Sequence, residues 1–222
     1  MCGRLVIYSP PQRYAELFGV TANIALAPCY NVPPTFDIPA CRVNQQGERE
    51  ILLMRWGLVP RWSKGPDSRF SMFNARSETV HEKPAYRSAF KSQRCLIPVD
   101  GFYEWSISKG KQPYFIHRRD SAPLVFAGLW EHWQDKQGSS IDSCTIIVTE
   151  ANTEMQPIHH RMPVILGSGQ FTDWLDPQNQ AMDELRDMLQ PYVPDDLESY
   201  PVSSDVNTPS NDSPDLLNNL SP

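Results

Sequence analysis

Arg94-Cys95-Leu96-Ile97-Pro98-Val99-Asp100-Gly101-Phe102-Tyr103-Glu104-Trp105 sets the fold class of this chain. Two short runs of apolar, β-branched and aromatic residues flank an Asp-Gly pair, which predicts two strands separated by a turn. Working outward, residues 51–56 read as a buried strand, and residues 114–117, 124–130, 144–149 and 162–166 continue the β series. Helix signals are few. Ser9-Pro10 opens one with an apolar stripe of Tyr14, Leu17 and Phe18. Residues 78–90 form a short helix interrupted at Pro84, and residues 179–189 are amphipathic. Residues 28–39 hold four prolines and read as a loop. Without a βαβ alternation, the pattern predicts an α+β fold: one domain with a mainly antiparallel sheet or open barrel and peripheral helices. The tail from Pro201, rich in Ser, Asn, Asp and Pro, is either disordered or an extended wrap over the domain.

A length of 222 residues with 40% hydrophobic content suits one domain with a substantial core. No apolar run is long enough to span a bilayer, and the amino terminus lacks signal-peptide character. Five cysteines, none in a C-x-x-C pair, argue against a disulfide framework or structural zinc site and suit a reducing cytoplasm. The net charge of −6 is unevenly spread. Residues 151–222 carry 2 basic and 12 acidic residues, whereas residues 42–119 carry 15 basic and 7 acidic. The cationic segment is either an anion-binding face or a solvated surface paired with the acidic end.

Several residues could carry chemistry, each beside a plainer role. Removal of Met1 would leave Cys2 first, with an α-amine and a thiol on adjacent carbons. Such an amine is partly unprotonated near neutral pH and forms Schiff bases with aldehydes, and the thiol can then close a thiazolidine. The plainer role for Cys2 is that of a small buried residue. Glu104 shares a strand face with Phe102, and a carboxyl held among aromatics has a raised pKa; the alternative is an exposed edge-strand glutamate. His159-His160 precedes an apolar strand, as a catalytic pair or as one packed and one solvated histidine. Asn74-Ala75-Arg76-Ser77-Glu78 reads as a helix start, in which Asn74 orients an amine or thiol and Arg76 grips a phosphate, or Asn74 or Ser77 merely caps. Trp56, Trp62 and Trp105 are interleaved with basic residues, an arrangement for stacking bases or simply for core packing.

Taken together, these segments resemble the SOS-response-associated peptidase (SRAP) family of abasic-site processing proteins. The resemblance is carried by Met1-Cys2-Gly3-Arg4, Tyr30-Asn31-Val32-Pro33-Pro34-Thr35, Trp56-Gly57-Leu58-Val59-Pro60, Phe73-Asn74-Ala75-Arg76-Ser77-Glu78-Thr79, residues 94–105, and Ile158-His159-His160-Arg161-Met162-Pro163. It covers essentially the whole chain in order. The resemblance implies a single SRAP domain over residues 1–222, with a β-barrel-like core and a tail from about residue 200 packed on it. It implies a sensor of abasic sites in single-stranded DNA that links itself covalently to them, without metal or other cofactor. Cys2 would be the nucleophile, Asn74 would orient its amine, and Glu104 and His159 would be the acid–base groups. Arg4 and Arg76 would hold phosphates, and Pro34, Trp56, Trp62, Trp105 and Thr149 would line the DNA channel. The expected setting is a monomer in a bacterial cytoplasm, on the nucleoid when bound to DNA. The resemblance also implies lyase-like chemistry and, from the family's peptidase label, autopeptidase removal of Met1. Two rival classes are an N-terminal-nucleophile cysteine hydrolase and a non-covalent single-strand binding module.

Overall fold

The computed structural model describes residues 2–66, 72–108, 110–193 and 195–221. Met1, whose removal the Cys2 chemistry requires, lies outside them. Twelve strands form among the described residues: β1 Leu5–Ile7, β2 Cys29–Val32, β3 Asp37–Val43, β4 Arg49–Trp56, β5 Asn74–Arg76, β6 Arg94–Val99, β7 Gly101–Trp105, β8 Pro113–Arg118, β9 Leu124–Gln134, β10 Ser140–Glu150, β11 Arg161–Pro163 and β12 Leu197–Pro201. The helices are α1 Pro11–Phe18, α2 Arg87–Ser92, α3 Phe171–Leu175 and α4 Met182–Asp187.

β10, β4, β3, β6 and β9 pair in that order, and β9 pairs back onto β10, so five strands close into a barrel. All of these pairings are antiparallel except β10 with β4. A second sheet runs β12-β8-β7-β1-β2. Asp100-Gly101 is not a hairpin turn: it is the corner where the chain leaves the barrel on β6 and enters the second sheet on β7. Asp100 fixes that corner by accepting hydrogen bonds from the Tyr8 and Ser9 amides at 2.6 and 2.8 Å and from the Tyr14 hydroxyl at 2.5 Å. A Cβ on Gly101 would lie 2.4 Å from the Phe115 ring and 2.7 Å from the Ile116 carbonyl oxygen. Gly101→Ala is therefore expected to destabilise the protein by about 1–3 kcal/mol. Denaturant melts check this, and an unchanged midpoint would mean that the corner relaxes freely.

The strand alternation of β7 separates two cores. Phe102 faces the main core, whereas Tyr103 faces a second cluster formed with Val6, Phe115, Val202, Val206 and Leu216. The tail is therefore ordered over most of its length. It adds β12 to a sheet edge, continues through two short 3-10 turns, and buries Val202, Val206 and Leu216. Its serines, asparagines and aspartates face outward or hold turns, which explains the disorder-like composition.

Four sequence expectations are corrected. Residues 28–39 contain β2 and the start of β3. Pro39 is tolerated inside a barrel strand because β3 and β6 pair only at Cys41 and Leu96. Asn74-Ala75-Arg76 is a strand, parallel to β10, and not a helix start. The expected helix over residues 78–90 forms only as turns followed by α2, beyond Pro84. The strand over residues 162–166 shortens to β11 with an isolated bridge at Ile165. The sequence patterns also missed α3, whose Phe171, Trp174 and Leu175 are buried.

Candidate functional site

β10 organises the site. At Val148 it pairs with Arg76 of β5 on one side and with Pro163 of β11 on the other. The segments carrying Asn74 and His159 therefore flank the same end of one strand. A backbone hydrogen bond of 3.1 Å from the Ile107 amide to the Ile158 carbonyl joins the loop after β7 to the residue before His159. Glu104, three residues before Ile107, is thereby held on the same side of the molecule.

Cys2 is fully buried, and the side-chain amide of Asn74 donates to its carbonyl oxygen at 2.6 Å. Asn74 thus fixes the Cys2 backbone through the carbonyl, and its Oδ1 is buried without a hydrogen-bond partner among the described residues. Burial pushes the Cys2 thiol well above the usual range, and the charge of nearby Glu104 adds to the shift. Glu104 is only 2% exposed, so the exposed edge-strand alternative does not apply. Burial raises its carboxyl above the ordinary value.

His159 is half-buried, and its ring stacks on His160 with centroids 4.3 Å apart. Its Nδ1 accepts a hydrogen bond from the Arg161 backbone amide at 3.0 Å. A backbone N–H can only donate, so the neutral ring carries its proton on Nε2. Burial, then the charge of the amino terminus, then His160 lower the His159 pKa to about 4. At neutral pH His159 is thus an uncharged donor through Nε2.

The expected DNA-facing residues divide. Arg76 and Trp62 are exposed, the latter at 66%, and Pro34 is partly exposed. Trp105 is partly buried and donates from Nε1 to Asn207 Oδ1 at 2.7 Å. Arg4 is half-buried, with Nη1 donating to Asn31 and Val206. Trp56 and Thr149 are buried, though Thr149 borders a surface cleft with Ser77, Glu78 and Glu150. Trp56 is fully buried with Nε1 donating to the Phe73 carbonyl at 2.9 Å, so its faces are core and cannot stack on a base. Thr149 is 5% exposed, and its hydroxyl pairs with Ser77 Oγ at 3.2 Å. Trp56 nevertheless shapes a neighbouring turn, since it exchanges backbone hydrogen bonds with Thr35 and Phe36. Those bonds set a turn in which Thr35 adopts φ +81° and Phe36 is 54% exposed. Phe36 was not singled out from the sequence, where one phenylalanine after two prolines carries no signal of exposure. Among the described residues, no group of three or more metal-ligating side chains forms.

The same geometry has relatives. A sequence model described as "SOS response associated peptidase (SRAP)" matches residues 1–209. The abasic site processing protein YoaM of Bacillus subtilis is 44% identical over 98% of this chain and 97% of its own. The abasic site processing protein HMCES of Gallus gallus is 35% identical over 86% of this chain and 66% of its own. A crystal structure of a protein from Bacteroides thetaiotaomicron superposes with a TM-score of 0.88 at 24% identity, covering 99% of this chain and 100% of that one, a likeness of fold.

Proposed function

Because this chain belongs to the SOS response associated peptidase family, we propose that it senses and shields abasic sites in single-stranded DNA by a covalent link through Cys2. The observation that carries this function is the Cys2 cluster. A buried potential N-terminal residue is fixed by Asn74 through its carbonyl, beside a buried carboxyl, Glu104. An incidental core cysteine needs neither neighbour. The relatives named abasic site processing proteins support the same substrate class.

Hydrolytic loss of Met1 exposes the Cys2 α-amine, and the thiol on the adjacent carbon is available with it. Autocatalytic removal, with the thiol as nucleophile, is consistent with the family's peptidase name. An abasic deoxyribose interconverts between a closed ring and an open aldehyde. His159, a neutral donor through Nε2, hydrogen-bonds the ring oxygen and favours opening. The amine adds to C1′, and the carbinolamine loses water to give an iminium ion. Glu104 supplies the proton for that loss and, once ionised, stabilises the cation. The thiol then adds to the iminium carbon, its proton passing to Glu104, and a thiazolidine closes. Each step is reversible, so the same groups support release. Closure consumes the aldehyde whose chemistry would otherwise cleave the strand.

Arg4 and Arg76 take backbone phosphates, and Trp62 and Phe36 offer faces to neighbouring bases. The sugar must reach a recessed residue, and drawing it out of a stacked duplex costs unstacking energy. An oligonucleotide with one abasic site is therefore expected to crosslink at least tenfold faster as a single strand than as a duplex. Denaturing gels over a time course measure both rates, and equal rates would refute a single-strand site.

A further inference from the structure

Arg4 is held by neutral partners, as the fully buried Arg94 is by backbone carbonyls, but Arg4 is only half-buried. Its Nη1 donates to Asn31 Oδ1 at 2.7 Å and to the Val206 carbonyl at 2.9 Å. Asn31, only 1% exposed, spends its amide Nδ2 on the carbonyls of Val206, Thr208 and Asn211, at 3.3, 3.1 and 2.8 Å. All these acceptors are neutral. Arg118 shows the opposite arrangement, with Asp120 and Asp196 at 2.7 and 3.0 Å. Among the described residues no carboxylate pairs with Arg4, and its Nε is buried without a hydrogen-bond partner. Acidic residues are close in sequence but turned to other tasks: Asp212 accepts from the Tyr30 amide at 2.5 Å. Neutral dipoles can fix the direction of a guanidinium without cancelling its charge, which a carboxylate would do.

We propose that Asn31 is a positioning residue that, with the strap of residues 206–211, pre-orients Arg4 and leaves its charge for a DNA phosphate beside the lesion. Asn31 need not touch DNA. It spares a long, rotamer-rich side chain from being ordered at the moment of binding. The inference rests on Arg4 being a phosphate ligand, and the experiment separates the two claims.

Equilibrium binding of undamaged single-stranded oligonucleotide is measured for wild type, Arg4→Ala, Arg4→Lys, Asn31→Ala, Asn31→Asp and the Arg4→Ala/Asn31→Ala double variant, across a salt series. Thermal melts identify the variants that fold. Asn31→Ala is expected to weaken binding on the order of tenfold, the scale of one charge-assisted hydrogen bond. It should reduce the salt slope by about one, as Arg4→Ala does. The double variant should bind like Arg4→Ala alone, because the two act through one phosphate. Arg4→Lys keeps the charge without the fork that Asn31 holds. It is expected to bind more weakly than wild type, and wild-type binding by it would overturn the positioning role even if neither Asn31 variant folds. Asn31→Asp retains an acceptor for Arg4 but sets a carboxylate oxygen against the Val206, Thr208 and Asn211 carbonyls, and is compared where its melt shows a fold. It should bind DNA as weakly as Asn31→Ala, since its carboxylate neutralises the guanidinium. Wild-type binding by Asn31→Asp, or additive losses in the double variant, would overturn the positioning role. Wild-type binding by Arg4→Ala would remove the phosphate premise as well, while leaving Cys2 crosslinking to be judged on its own gel.

Discussion

Cys2→Ala is expected to yield no denaturation-resistant band with abasic single-stranded DNA, against a band expected to accumulate with time for the wild type. The loss is complete, not graded, because no other residue joins an α-amine to a vicinal thiol. Cys29, Cys41, Cys95 and Cys144 are internal and carry no amine, and the last three are buried. Cys2→Ser distinguishes thiazolidine chemistry from hydrolysis. A serine hydroxyl retains partial activity in a nucleophilic hydrolase but does not close the sulfur ring. A full-strength, stable crosslink from Cys2→Ala would remove Cys2 as the nucleophile and return the site to non-covalent binding.

Glu104→Gln is expected to slow crosslinking by about 10²–10⁴-fold, the range for one positioned acid–base group. Amine and thiol remain, so product still accumulates slowly. His159→Ala should slow formation and release together, since one ring-opening step serves both directions. Time courses of crosslinking, and of transfer to a competitor oligonucleotide, provide both rates. Wild-type rates in both variants would refute the assignment. The same glutamine makes a second claim about stability. Burial raises the Glu104 pKa in the folded state, so folding is favoured while the group is protonated. That contribution is lost as pH rises through the folded pKa. Glu104→Gln should therefore melt higher than wild type at pH 8, with the gap narrowing toward pH 5. Each kcal/mol corresponds to about 2–4 °C for a chain of this size. A gap that widens on acidification would contradict the burial argument.

The sequence exposed what depends on short-range pattern. The alternation in β7 placed Phe102 and Glu104 on one face and Tyr103 and Trp105 on the other, and the structure keeps them there. The stripe of α1 was legible for the same reason, with Tyr14 and Phe18 buried. Asn74 was misread because three residues of parallel pairing to a strand about 70 positions later leave no local periodicity. The depth of Glu104 was equally hidden, since distant segments must assemble around it before the carboxyl is covered. Trp56 shows the converse error. Its neighbours Arg55 and Arg61 suggested a nucleic-acid surface, yet its closed barrel strand turns it into the core. Asn31 stood within a recognised segment without a role, because its partners lie some 175–180 residues downstream.

The bond between Arg4 and Val206 spans 202 positions, and its consequence is one of timing during synthesis. At about 5–20 residues per second, Arg4 leaves the ribosome's active centre roughly 10–40 s before Val206 is made. β1 likewise waits for its partner strand β7, which begins at Gly101. Cys2 is thus made long before the strap that helps to hold the neighbouring guanidinium, whereas Asn31, the other anchor of Arg4, follows it by only 27 positions. Until residue 206 has been made, the chain carries Cys2 without the Val206 carbonyl that holds Arg4. On the proposed function, the phosphate contact of Arg4 is deferred until the strap of residues 206–211 is in place.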